Sequence, residues 1–285
     1  MLNSFMYFNQ KEGTDMNIRF NCFPGGVFKA LTLSYDDGTL HDIRLVSILN
    51  TYGIKATFHL NSGILDQEGY VSAKEVQSLY AGHEISVHTV SHPFLDELPR
   101  EAIIHEVLED RRALEHLSGY PVRGMSYPYG SYNEEVTKLL PALGIEYSRT
   151  VQSTGSFAMP QHPLEWNPTC HHNAMLKAGE QLIALTGDMP WKRKLSLLYV
   201  WGHSYEFENH GNWHEIESFC RMMSAQKDIW FATNMEIIDY QNALGRLQFS
   251  ADRSLVHNPS AISVWITVDQ SPVEIKPGEL KQLKH

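Results

Sequence analysis

Two adjacent acids, Asp36 and Asp37, followed by Gly38, stand at the end of the apolar run Leu31-Thr32-Leu33-Ser34-Tyr35. A run of that kind predicts a buried strand, and the glycine lets the chain turn sharply after it, so both carboxylates fall at a strand mouth. Neighbouring side chains cannot readily share one ligand direction. One acid can therefore bind a cation while the other is free to move a proton. A second strand end, after Ile85-Ser86-Val87, carries His88-Thr89-Val90-Ser91-His92. The i, i+4 spacing predicts two imidazoles on one face of a helical turn, where they can meet one cation. Two neutral imidazoles and a carboxylate suit a divalent transition metal such as zinc, with a position left for water. A lone Asp-Asp-Gly is an ordinary turn, and among 15 histidines a chance His-x-x-x-His is expected. The signal lies in the order: two acids, then the histidine pair, then Tyr127-Pro128-Tyr129-Gly130, then Trp201-Gly202-His203, each after an apolar run.

In motif and order the chain resembles the polysaccharide deacetylase family, metal-dependent carbohydrate esterases that remove N- or O-acetyl groups from glycans. Its first, second and fifth motifs correspond to Ser34 to Gly38, His88 to His92 and Val200 to His203, so the resemblance spans roughly residues 20 to 245. The resemblance implies a metal set of Asp37, His88 and His92, with Asp36 as general base and His203 as the acid that protonates the leaving group. It also implies that the backbone N–H of Tyr129 donates to the oxyanion. Two motifs depart. Ser126 stands where the third-motif arginine would hold the base, and no Asp-x-x-x-Trp lies between Tyr147 and Leu195. Arg149 is the nearest replacement for the arginine, with Arg123 behind it; His171 and His172 are offered to the pocket by the fourth-motif region. The implied activity is deacetylation of an acetylated sugar or oligosaccharide, with one divalent ion, zinc ahead of cobalt or manganese. Two alternatives stay open: an amidohydrolase acting on another small C–N bond, and a catalytically silent sugar-binding relative.

The elements needed to position these residues are legible as a rhythm. Amphipathic stretches from Leu40 to Leu49, from Pro99 to Gly119, from Asn133 to Leu143, from Met175 to Leu185, from Ile216 to Met223 and from Met235 to Ala243 alternate with short apolar runs. Ser72 and Glu75 read as a capping box opening one more helix. Strands alternating with helices imply a parallel sheet with crossover helices, and about seven units imply near closure. The expected fold is α/β, a distorted (β/α)7 barrel, the form the resemblance implies, followed by a small C-terminal β appendage. The division expected is 1-19 as an N-terminal extension, 20-245 as the barrel and 246-285 as the appendage, where Asn258-Pro259-Ser260 and Asp269 to Pro272 supply turns.

Composition narrows the partners. With 23 basic and 33 acidic residues, the formal charge of -10 argues against nucleic acid and anionic membranes as partners. Three scattered cysteines give neither a disulfide framework nor a thiolate metal site. The first twenty residues lack an unbroken apolar core and no run is long enough to span a membrane, which points to a cytoplasmic protein; homo-oligomerisation stays open. Trp166, Trp191, Trp201 and Tyr205 are aromatic residues that could stack on sugar faces.

Overall fold

The computed structural model describes residues 16–187 and 193–283; the extension up to residue 15 and Trp191 lie outside them. In chain order the elements are β1 (Ile18–Arg19), β2 (Lys29–Asp36), α1 (Asp42–Tyr52), β3 (Thr57–Leu60), α2 (Val76–Leu79), β4 (Glu84–Val87), α3 (Arg100–Ser118), β5 (Gly124–Ser126), α4 (Glu134–Leu139), β6 (Tyr147–Arg149) and β7 (Cys170–His171). They continue with α5 (Met175–Ile183), β8 (Ser196–His203), α6 (Ser204–Asn209), α7 (Trp213–Ser224), β9 (Ile229–Phe231) and α8 (Asn234–Gly245). The chain closes with β10 (Gln248–Phe249), β11 (Leu255–His257), β12 (Val264–Val268), β13 (Ser271–Ile275) and β14 (Leu280–Gln282).

β2 is the spine. All eight of its residues are buried, because helices cover one face and the opposite face lines the barrel interior. Its period-2 alternation sorts them: Leu31, Leu33 and Tyr35 join the hydrophobic cluster under the helices, while Thr32, Ser34 and Asp36 make polar contacts inside. Parallel strands flank it in the order β6-β5-β4-β3-β2-β8-β7, with β9 on the first half of β2 where β3 has not yet begun. Segment 166–171 bridges the two edges of this sheet. Trp166 pairs in parallel with Arg149 at the end of β6, and Cys170 and His171 pair with Val200 and Trp201 of β8. The result is the curled α/β, (β/α)7-type barrel.

Register then places the chemistry. Asp36 is opposite His203 on one side and His59 on the other, and Ser126 is opposite Arg149, so five strands deliver polar side chains to one layer. The opposite end of the barrel holds a second polar network. There Glu84 accepts from Thr57 Oγ1 at 2.8 Å, Tyr147 OH at 2.7 Å and the Met235 N–H at 2.8 Å.

Two local expectations are corrected. Ser72 and Glu75 form no capping box: Ser72 Oγ donates to Asp66 Oδ1 at 2.8 Å, and α2 is a single turn. A capping box does form at α8, where Thr233 and Glu236 satisfy each other's backbone donors. The helix after Asn133 is α only to Leu139, because Pro141 removes a donor and the last turn tightens to 3-10 geometry. Beyond α8 the strands form two three-stranded antiparallel sheets, β1-β12-β13 and β10-β11-β14. β1, from the N-terminal side of the barrel, is therefore paired to the C-terminal strands, and Met16, Phe23, Tyr240, Ile266 and Ile275 share one buried cluster with them. Cys22, Cys170 and Cys220 are free and buried. No helix among the described residues is long and apolar enough to cross a membrane.

Candidate metal centre and active site

Asp37 leaves β2 with φ at 81°, a left-handed conformation, and His88 Nε2 lies 3.9 Å from Asp36 Oδ2. Its Oδ1 lies 3.6 Å from His88 Nε2 and 3.6 Å from His92 Nε2. Three donors on one tetrahedral zinc, each at 2.0–2.1 Å, sit about 3.4 Å apart, so these three fit a shared ion. The second contacts fit as well. The carbonyl oxygen of Ser126 accepts from His88 Nδ1 at 2.9 Å, which fixes the tautomer that leaves the Nε2 lone pair facing Asp37.

The histidine loop is not helical. Thr89 and His92 have φ of 70° and 59°, and the two imidazoles converge through this doubly left-handed turn instead of a helical face. What holds the strained loop is α3. Asp110 accepts from the Ser62 N–H at 2.7 Å and the His88 N–H at 3.0 Å, and Glu106 accepts from the Ser91 N–H at 2.9 Å. Burial pushes the Asp110 carboxyl up to about 8 despite those bonds.

Asp36 is fully enclosed. Burial alone would raise its carboxyl, but the Arg149 guanidinium, joined by the imidazoles of His88, His59 and His203, holds it well below the usual carboxylate range. Arg149 is itself fully buried: Nη2 donates to Asp36 Oδ2, Nη1 donates to the Thr150 carbonyl at 3.1 Å, and Cζ lies 4.5 Å from the Trp201 ring centroid. Arg123, the other arginine weighed, lies elsewhere, bridging Glu146 and Asp239. Ser126 Oγ donates to Asp36 Oδ1 at 3.1 Å, so the residue standing where an arginine was expected touches the same carboxylate from the other side.

His203 is 3.9 Å from Asp37 Oδ2 through Nε2, and its Nδ1 is 2.5 Å from Glu206 Oε1. Burial would lower this imidazole, but the Glu206 bond and the charges of Asp36 and Asp37 raise it, favouring the imidazolium. Glu206 is the residue the sequence reading missed. The available signal was its position three residues after His203 at the start of a helix, the spacing that lets a carboxylate reach back to an imidazole. Glu206 Oε2 also meets His171 Nε2 at 3.2 Å and His172 Nε2 at 3.1 Å. These contacts draw the carboxyl well below its usual range although burial opposes them.

Tyr129 has φ at 57° and is 57 % exposed; its ring meets His92 edge-on at 4.4 Å and stacks on Phe94 at 4.0 Å with the planes 12° apart. Trp166, by contrast, is buried in the second core, and Trp201 lies over Arg149, so the exposed aromatic pair at this site is Phe94 and Tyr129.

Comparison with known proteins adds the lineage. Residues 26–148 match the family model described as polysaccharide deacetylase. A peptidoglycan-N-acetylglucosamine deacetylase of Listeria monocytogenes is 27 % identical over 123 residues, covering 42 % of this chain and 26 % of its own length. A chitin deacetylase of Pestalotiopsis sp is 32 % identical over 117 residues, covering 39 % and 38 %. The chain thus spans about a quarter to two fifths of the length of these relatives. Among solved structures, one from Mycobacterium smegmatis named for the polysaccharide deacetylases superposes with a TM-score of 0.60 at 19 % identity, over 78 % of this chain and 93 % of that one. A CE4 family pseudoenzyme from Bacillus anthracis gives 0.50 at 15 %, over 74 % and 65 %. These structures share the fold. The matched segment contains Asp36, Asp37, His88, His92 and Tyr129, and stops one residue before Arg149. Over residues 26–148, this chain is similar to the polysaccharide deacetylase family.

Proposed function

We propose that the chain is a metal-dependent hydrolase that removes an acetyl group from an N- or O-acetylated carbohydrate. The observation that carries this reading is the convergence of Asp37, His88 and His92 at ligand spacing, one residue away from a buried carboxylate kept ionised by Arg149. Asp37 Oδ1, His88 Nε2 and His92 Nε2 would hold the ion, and zinc suits two imidazoles and a carboxylate. When bound, a divalent ion supplies Lewis acidity to the acyl oxygen and makes water acidic near neutrality. Asp36 takes the proton as water attacks the acetyl carbon. Ser126 and Arg149 keep its carboxylate fixed and ionised during that step. The backbone N–H of Tyr129, beside His92, donates to the oxyanion. The C–N or C–O bond then breaks, His203 Nε2 gives its proton to the departing nitrogen or oxygen, and acetate and the free sugar group leave. Glu206 on Nδ1 orients the ring and stabilises its charged form.

The Phe94–Tyr129 stack beside His92 supports a sugar as substrate, since an exposed flat aromatic pair can take the C–H face of a pyranose. The relatives named above act on peptidoglycan and chitin. The experiment is elemental analysis after dialysis against metal-free buffer. Wild type retains one tightly held ion, and the His88→Ala/His92→Ala double variant retains none; equal metal in the two contradicts the assignment.

A further inference from the structure

We propose that His171, His203 and Glu206 form a second site for a divalent metal ion, of inhibitory character, which shares the imidazole of His203 with the catalytic centre. One ligand atom from each of the three lies within 4.8 Å of the others, and each side chain is half-buried. The donor set, two imidazoles and one carboxylate, repeats the chemistry of Asp37, His88 and His92. His171 Nε2 and Glu206 Oε2 are 3.2 Å apart, close to the roughly 3.4 Å spacing of two donors on one tetrahedral zinc. The carboxylate is pre-charged: three imidazoles face it, and no lysine or arginine pairs with it among the described residues. His172 Nε2, 3.1 Å from the same Oε2, stands behind as a further donor.

His203 Nδ1 is at present a hydrogen-bond donor to Glu206 Oε1. To ligate an ion it must give up that proton, because only the lone pair of an uncharged imidazole coordinates. The consequence falls on the other nitrogen. As the imidazolium, His203 releases its Nε2 proton and becomes a neutral ring; with an ion on Nδ1, release of the same proton would have to make an imidazolate, a far poorer acid near neutrality. Occupation of the second site therefore removes the acid while leaving the first ion and Asp36 in place. The binding half of this inference stands on the cluster alone; the inhibition half rests on the role given to His203 above.

The test uses the full chain, stripped with chelator and titrated with zinc sulfate, with bound zinc read by equilibrium dialysis and acetate release read in parallel. Wild type should take up two saturable equivalents, the first raising activity and the second lowering it. His171 touches neither Asp36 nor the first ion's ligands, so His171→Ala should keep the first equivalent and its activity. It should lose the second, with the inhibiting zinc concentration raised at least about tenfold; His171→Gln, which preserves bulk, should behave alike. In His88→Ala/His92→Ala the second equivalent should persist, which separates failure of this site from failure of the first. Saturation of wild type at one equivalent, or unchanged inhibition in both His171 variants, overturns the proposal and leaves the cluster a hydrogen-bond network around Glu206.

Discussion

Asp36 is ionised in a place where burial would protonate it, and one side chain accounts for the difference. Arg149 sits wholly inside the barrel with its guanidinium on Asp36 and its face on Trp201, so removing it leaves a buried carboxylate without its cation. Breaking such a pair costs about 3–5 kcal/mol when the remaining charge has no other partner. The sign for pH follows from the depressed carboxyl. Its contribution to stability is present above the unfolded carboxylate value and is lost only as pH falls through the lower folded value. Without Arg149, burial prevails and the carboxyl rises. Arg149→Ala should therefore lose turnover by about a hundredfold, keep its metal, and move the acidic limb of the pH–rate profile to higher pH. An unmoved limb with near-normal turnover would make Arg149 a packing residue. At this scale the sequence singled out Asp36, Asp37, His88, His92 and His203 by residue type and order, and the structure brings them together. The sequence was less readable where partners are supplied from elsewhere. Ser126 was visible only as a missing arginine, and its bond to Asp36 depends on β5 lying inside the same layer.

The elements anchor the loops on which the candidate ligands lie. α3 grips the histidine turn through Asp110 and Glu106, and the turn itself has a shape that spacing could not foretell. An i, i+4 pair suggested a helical face, yet two left-handed residues bring the same rings together. Spacing limits how far apart two side chains can be, while the backbone path between them is set by tertiary anchors. The strand ends were more legible, because apolar runs bounded by turn residues mark parallel strands, and register follows from packing them side by side. The short bridging strand β7 escaped notice, since two paired residues carry no periodicity. The proposed substrate platform is the Phe94–Tyr129 stack. Phe94→Ala should raise KM for an acetylated oligosaccharide about 3–10-fold, the value of one aromatic stack, with kcat and the KM for a small chromogenic acetate nearly unchanged. Equal effects on both substrates would show that Phe94 merely props up Tyr129.

For the whole molecule, the barrel has two polar ends with different tasks. The C-terminal end gathers Asp36, Asp37, His88, His92 and His203; the N-terminal end ties β3, β4, β6 and α8 together through Glu84. Burial pushes Glu84 up to about 6, with the Met235, Tyr147 and Thr57 bonds opposing it. A carboxyl raised on folding stabilises most below its unfolded value, and that contribution is lost as pH rises through the folded value, here between about 4.5 and 6. Glu84→Gln should flatten the fall in stability across that window by about 2 kcal/mol, read as Tm against pH; parallel wild-type and variant curves would place the slope elsewhere. At this scale the α/β alternation was plain in the sequence. The pairing of β1 with β12 was not, because contacts between chain ends nearly 250 residues apart leave no local trace. The most direct test of the central claim is acetate release from acetylated chito-oligosaccharides and O-acetylated sugars by zinc-loaded wild type and Asp36→Asn, with zinc measured in the same samples. The account predicts release by wild type, almost none by Asp36→Asn, and equal tightly bound zinc in both. Acetate release by Asp36→Asn at the wild-type rate, or none by zinc-loaded wild type across the panel, would contradict it.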